Sequence, residues 1–254
     1  MRGVNRINVL GCPFDAVSFE ETVNSIRLAI AKGILLQIVP GSVDFIVKSR
    51  RDPNYARVLW RSELVVADGK PIVCLASLLG QPIRGRVSGT DLVWSCVMLS
   101  QELTFPIALI GGACDAAKRA ASAMLRRFPN ALLHSIVTPY PLTREYSKVL
   151  AGQVRALGCK LILVALGAPR QERWVLEYLP ECGANVGIGI GSAFDIICGD
   201  RLRAPLWMQN AGLEWFHRMM LEPRRLGRRY LKEDMRVIGY LAFEMLQRLR
   251  RKRL

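Results

Sequence analysis

The chain has 254 residues, 51% of them hydrophobic, enough apolar material for one large core or two small ones. With 36 Lys and Arg against 21 Asp and Glu, its net charge of +15 points to an anionic partner: nucleic acid, an acidic membrane face or a phosphorylated substrate. Seven scattered cysteines with no CxxC pair exclude a disulfide frame and read as buried reduced thiols of a cytosolic protein; the start lacks a signal-peptide pattern, and no uncharged apolar run is long enough to span a bilayer.

Taken in order, Ile7–Leu10 is a short strand, and Ser18–Lys32 a helix capped by Ser18 and stopped at Gly33. Ile34–Val39 is a buried strand ending in Pro40-Gly41-Ser42, followed by helices over Val43–Arg50 and Pro53–Trp60. Strand Leu64–Ala67 ends at Asp68-Gly69, and Pro71 opens a helix that stops at Gly80. A polar loop from Arg86 to Asp91 leads into a helix over Leu92–Gln101, and strand Phe105–Ile110 ends in Gly111-Gly112. Helix 115–127, strand 131–137, helix 143–157 and strand 160–166 continue the alternation; Gly167-Ala168-Pro169-Arg170-Gln171-Glu172 opens another helix, and strand 184–188 runs into Gly189-Ile190-Gly191.

Alternating strands and helices predict an α/β layered fold with a mostly parallel sheet. In such sheets the ligand crevice lies at the carboxyl ends of the strands. Nearly every strand end here carries small or polar residues, Pro139-Tyr140 among them, and that concurrence is stronger than any single loop. Glycines that let a backbone approach closely, followed by Asp195 and by Arg218, Arg225 and Arg228 at near-helical spacing, suit a diphosphate. A tight strand-to-helix turn with a solvated basic helix explains the same residues equally well.

From Pro223 to Leu254 there are eleven Lys or Arg and three Asp or Glu, so more than half of the excess charge lies in the tail. Arg229–Arg253 reads as a long helix with Ile238, Leu241, Met245 and Leu249 along one stripe. Such a helix suits an anionic membrane surface; docking on its own domain is the plainer alternative.

Several chemistries are missing. His134 and His217 are isolated from cysteine, which argues against zinc, and His134 reads as a strand residue. There is no P-loop, no GxSxG elbow and no Asp-x-Asp pair to grip a metal–nucleotide. Asp68, directly after Leu-Val-Val-Ala, is the best candidate base; its alternative is a turn aspartate capping the helix at Pro71. For Arg86 the alternative is a surface arginine, and for Gln171 and Glu172 it is helix capping.

At VVADGKPIV (65–73), RVSGTDLV (86–93), LIGG (109–112), LGAPRQERW (166–174), GIGIGSAFDIICG (187–199) and RAPLWMQNAGLEWFHRMMLEPRRLGRRY (203–230) the sequence resembles the WecG/TagA/CpsF family of bacterial glycosyltransferases, over nearly its whole length. The resemblance implies an inverting, metal-independent transfer, with no cofactor, from a UDP-sugar to a polyprenyl-diphosphate-linked saccharide. The site would lie at the inner face of the cell membrane, in exopolysaccharide, capsule, teichoic acid or common-antigen synthesis. It implies a Rossmann-like α/β core over 1–200 and a basic helical appendage over 201–254.

By position, the resemblance makes Asp68 the catalytic base and Arg86 an active-site arginine. It places Tyr140, Gln171, Gly189, Gly191 and Asp195 at the donor, with Arg218, Arg225 and Arg228 on the diphosphates, and the strand-end reading adds Ser42, Gly111, Gly112 and Gly167 as substrate-binding residues. The family's Thr-x-Asn pair is Pro40-Gly41-Ser42 here, so the donor sugar is left open. An anionic membrane surface is the expected partner, nucleic acid is not, and a homo-oligomer is compatible with the sequence. Two rivals stand beside this reading. One is a nicotinamide-dependent enzyme, although the glycine loop comes late and lacks the third glycine; the other is a nucleic-acid-binding module, although the tail has few aromatics.

Overall fold

A computed structural model gives the architecture and describes residues 5–139, 141–228 and 234–251. The chain opens on a hairpin of which the sequence reading anticipates one half. Strand β1 (Arg6–Val9) is the expected one, and β2 (Cys12–Asp15) returns antiparallel to it. Pro13 hides the strand character of β2, but a two-stranded ribbon consists of edges, where a missing N–H is tolerated. Asp15 fastens the hairpin to the main sheet: it holds the Arg6 guanidinium at 2.9 and 2.8 Å and accepts the Val65 N–H at 2.7 Å.

Helix α1 (Phe19–Lys32) starts and ends as its sequence dictates. Ser18 and Glu21 form a reciprocal capping box, and Gly33 closes the helix at φ 65°. The alternation then runs β3 (Leu36–Gly41), α2 (Val43–Arg51), α3 (Pro53–Arg61), β4 (Leu64–Ala67), α4 (Lys70–Leu78), α5 (Gly89–Leu103) and β5 (Pro106–Gly111). It continues with α6 (Ala116–Arg127), β6 (Leu132–Ile136), α7 (Arg144–Ala156), β7 (Leu161–Ala165), α8 (Arg170–Tyr178) and β8 (Val186–Gly189). His134 lies within β6, as its neighbours imply.

Strands β3 to β8 form one parallel six-stranded sheet in the order β4-β3-β8-β7-β5-β6. Alternate residues of each strand supply opposite cores. Leu36, Ile38, Ile107, Leu109, Leu161 and Leu163 pack on the face carrying α1, α5 and α6, while Ala108, Ile110, Ile162 and Val164 meet α7 and α8 on the other. Burial on both faces is why these strands read as continuous apolar runs.

The C-terminal part is a series of helices: α9 (Ala193–Ile197), α10 (Leu206–Ala211), α11 (Glu214–Leu221), α12 (Pro223–Arg228) and α13 (Arg236–Arg251). The tail's apolar stripe divides in the structure. Val237 is buried against the hairpin and α2, with Tyr240 and Leu241 packed beside it and the Arg50 guanidinium 4.2 Å from the Tyr240 ring centre. Ile238 and Met245, from the expected stripe, point outward together with Phe243 and Leu246. One face of the tail helix is therefore docked on the domain, as the plainer alternative has it, and another is exposed and apolar. The cysteines are free; Cys12, Cys96, Cys159 and Cys182 are buried, whereas Cys74 and Cys114 are exposed.

Candidate active site

The carboxyl ends of β4, β3, β8 and β7 and the helices after β8 enclose a cavity of about 2020 Å³. Parallel strands all point their last residues to one edge, which is why loops far apart in sequence meet there. Asp68, Arg86, Ser42, Gly112 and Gly167 are on its wall, as are Gln171, Gly189, Gly191, Asp195 and Arg218. Tyr140 lies outside the described residues, as do the side chains of Arg225 and Arg228.

Asp68 follows β4, and its N–H donates to the Gly41 carbonyl at 2.9 Å, which fixes it beside the end of β3. It does not cap α4: the residue before that helix is Gly69, at φ 119° and with no side-chain cap. The α4-capping alternative therefore falls; the carboxylate accepts instead from the Gly89 N–H at the start of α5, on the cavity wall. Burial pushes the Asp68 carboxyl up to about 6, against the pull of Arg218, Arg86 and the Gly89 N–H and with the push of Glu214. A carboxylate poised near neutrality at a cavity wall is suited to taking a proton.

Arg86 is no surface arginine. Its guanidinium is half-buried, donates to Glu214 at 2.9 Å and to Gln209 at 3.4 Å, and lies 3.6 Å from Asp91. Glu214 also holds Arg218 at 3.4 Å, one helical turn on. Arg203 pairs with Asp91 at 2.7 Å, and Lys70 donates to the Asn210 carbonyl. These contacts fasten α10 and α11 over Asp68 and bring Arg218 to it. Sequence reasoning found Arg218 but missed Glu214 and Gln209. The Glu214–Arg218 spacing was visible as a helical ion pair, but its partner 128 residues earlier was not.

The glycines divide by role. Gly112 (φ 90°) and Gly191 (φ 56°) turn at the cavity wall. Gly111 is not on that wall: a Cβ there would lie 2.9 Å from the Ala165 carbonyl oxygen, so its smallness serves the approach of β5 to β7. Gly187 and Gly189 face α8, where added Cβ atoms would meet Val175 at 2.5 Å and the Gln171 amide nitrogen at 2.7 Å. The glycine run thus lets α8 sit close to the sheet before it serves any ligand.

Gln171 is 3% exposed, and its amide makes three hydrogen bonds. Its carbonyl accepts the N–H groups of Gly167 and Gly191, both at 3.1 Å, and its NH₂ donates to Glu172 at 2.6 Å. It is not the cap of α8, a position that Pro169 holds; it ties two cavity loops together. Glu172, beneath it, is fully buried, and burial pushes its carboxyl up to about 7. Asp195 pairs with Arg201 at 3.3 Å, and Arg201 reaches Glu222 at 3.5 Å, which ties α9 to the end of α11. Among the described residues, no three His, Cys, Asp or Glu side chains are grouped to hold a metal ion.

A model of the glycosyl transferase WecG/TagA/CpsF family matches residues 7–253. Curated relatives in Staphylococcus aureus strains NCTC 8325 / PS 47 and COL are each 23% identical over 88% of this chain and 87% of their own; both are N-acetylglucosaminyldiphosphoundecaprenol N-acetyl-beta-D-mannosaminyltransferases. A relative of the same name in strain MRSA252 is similar to the same extent. The cavity at the strand ends, the carboxylate on its wall and the arginine-bearing helix over it are accordingly parts of a glycosyltransferase, and the chain belongs to the WecG/TagA/CpsF family.

Proposed function

We propose that the protein transfers a sugar from a UDP-sugar to a polyprenyl-diphosphate-linked saccharide in cell-envelope polysaccharide synthesis, with inversion and without a metal. The observation that carries this reading is Asp68, partly buried at a strand end under Arg86 and Arg218, in one cavity with the Gly191 turn. The acceptor class is supported by the names of the relatives, which act on N-acetylglucosaminyldiphosphoundecaprenol.

In the reaction, Asp68 takes the proton of an acceptor hydroxyl as its oxygen bonds to the anomeric carbon. The bond from that carbon to the β-phosphate oxygen breaks, and its electron pair leaves with UDP. Loop N–H groups and arginines stabilise the growing negative charge, Arg218 among them and Arg225 and Arg228 by resemblance.

For the place of action we propose peripheral attachment to the inner face of the cell membrane. No helix among the described residues is long and apolar enough to cross a bilayer. Leu206, Trp207, Met220, Phe243 and Leu246 are exposed apolar side chains on the C-terminal helices, and the sequence there is rich in arginine. Incubation with a panel of UDP-sugars and an N-acetylglucosaminyl-diphosphate polyprenol, with and without EDTA, tests the reading by product mass. One sugar added from one donor, unchanged by EDTA, supports it. No transfer from any UDP-sugar, or dependence on a metal, refutes it.

A further inference from the structure

The mechanism above makes no use of Glu172, which has no exposed surface. Its Oε1 accepts the Gln171 NH₂ at 2.6 Å, and its Oε2 accepts the Tyr55 hydroxyl of α3 at 3.4 Å. From β3, the Gln37 side chain donates to the Glu172 backbone carbonyl at 2.8 Å. The acid is therefore fixed by partners on α8, α3 and β3. A buried carboxylate costs free energy that an apolar side chain of the same size would not. The Gln171 clamp beside it shows what that cost serves.

Gln171 can hold Gly167 and Gly191 in one orientation only. Both backbone N–H groups donate, so the amide must turn its carbonyl to them, as it does at 3.1 Å. Its NH₂ then points the other way, into the interior, and needs an acceptor there. Glu172 Oε1 is that acceptor. It stays one even when the carboxyl carries a proton, because a proton on Oε2 can be donated to the Tyr55 hydroxyl. Turned over, the amide would set NH₂ against two N–H donors and its oxygen against a carboxylate oxygen. The space for the clamp comes from Gly189, where an added Cβ would lie 2.7 Å from the Gln171 nitrogen. Gly167 (φ 75°) and Gly191 (φ 56°) are both on the cavity wall, so the turns that the clamp shapes belong to the site.

Resting on the donor reading above, we infer that Glu172 is a positioning residue: through Gln171 it holds the Gly167 and Gly191 loops in the shape that receives the donor's diphosphate. Being fully buried, it touches no substrate itself. The N–H groups of Gly167 and Gly191 are taken up by Gln171, so what these two residues give the ligand is the course of their loops rather than those two donors.

The test uses the full chain, with UDP as the ligand and amide hydrogen exchange as a readout that needs no ligand. Glu172→Met, of similar size but with no acceptor, should speed exchange at Gly167 and Gly191 and weaken UDP binding, each by about 5- to 30-fold, the worth of the two hydrogen bonds released. Glu172→Gln still presents an acceptor to Gln171 and a donor to Tyr55, and should stay within about threefold of wild type in both. In a Gln171→Ala background, Glu172→Met should change UDP binding by less than about twofold, because the residue it acts through is gone. Should Glu172→Met not fold, Glu172→Asp, which draws the acceptor back from Gln171, takes its place with the same expectations. Wild-type exchange in the variant overturns the inference, as does faster exchange with unchanged UDP affinity. An equal loss in Glu172→Gln overturns it by showing that the charge matters rather than the acceptor. A loss repeated in full in the Gln171→Ala background overturns it by showing a general structural role. Wild-type protein that does not bind UDP sinks the donor reading itself, and the part these loops play toward a diphosphate falls with it.

Discussion

Replacing Asp68 by Asn should make the protein more stable while removing most of its activity. Burial, with Glu214 adding to it, raises the Asp68 carboxyl from the ordinary 3.8 to about 6. The folded state therefore disfavours the ionised form by about 3 kcal/mol relative to the unfolded chain. The sign follows: below pH 3.8 the group is protonated in both states and costs nothing, and above about 6 it is ionised in both and the penalty is complete. An asparagine has the same shape and no charge, and its carbonyl can still accept from Gly89. At pH 8 the variant should gain up to about 3 kcal/mol, or about 6–12 °C in Tm for a chain of this size, and the gain should vanish as pH falls toward 4. Turnover should fall by about 10²- to 10⁴-fold, the usual share of a general base. Melting curves at several pH values, beside product formation from a UDP-sugar, measure both effects. A variant with unchanged Tm at every pH and turnover within about threefold of wild type would refute the assignment of Asp68 as a strained base.

The same carboxyl predicts an acid limb near pH 6 in kcat/KM, absent from Asp68→Asn. Arg218 is the largest of the charges holding that value down, so Arg218→Gln should move the limb to higher pH; a move to lower pH contradicts the placement of α11 over Asp68. Gln171→Ala removes the amide that ties Gly167 to Gly191, and should cost about 1–3 kcal/mol in denaturant unfolding and weaken UDP binding. Unchanged values in both measurements would show that the clamp does not shape the cavity. On the tail, Phe243→Ser with Leu246→Ser removes two exposed side chains, 58% and 57% accessible, that face away from the docked surface. Binding to vesicles containing anionic lipid should weaken at least about tenfold with Tm unchanged. Retention equal to wild type would place the membrane contact elsewhere.

Local chemistry determined most of the fold. Ser18 and Glu21 set the start of α1, Gly33 its end, and the apolar runs read at 34–39, 64–67, 105–110, 160–166 and 184–188 are the buried strands β3, β4, β5, β7 and β8, with β3 continuing through Pro40 and Gly41, which the sequence marks as a turn. Parallel strands with ligand loops at their carboxyl ends follow from that alternation, so Asp68 and the glycine turns were legible as a site. The hairpin partner β2 was not, because Pro13 masks a strand that only a two-stranded edge tolerates.

What the sequence could not decide is who stands beside whom. Whether Asp68 caps α4 or faces the cavity depends on a backbone bond to Gly41, on the neighbouring strand. That Arg86 serves as a tether for α11 depends on Glu214, and that Gly189 accommodates Gln171 before any ligand depends on α8. Propensity and periodicity act over a few residues along the chain. The carboxyl's shifted affinity for its proton arises from burial and from charges more than a hundred residues away, and only the packed sheet with its helices laid over the strand ends brings those together.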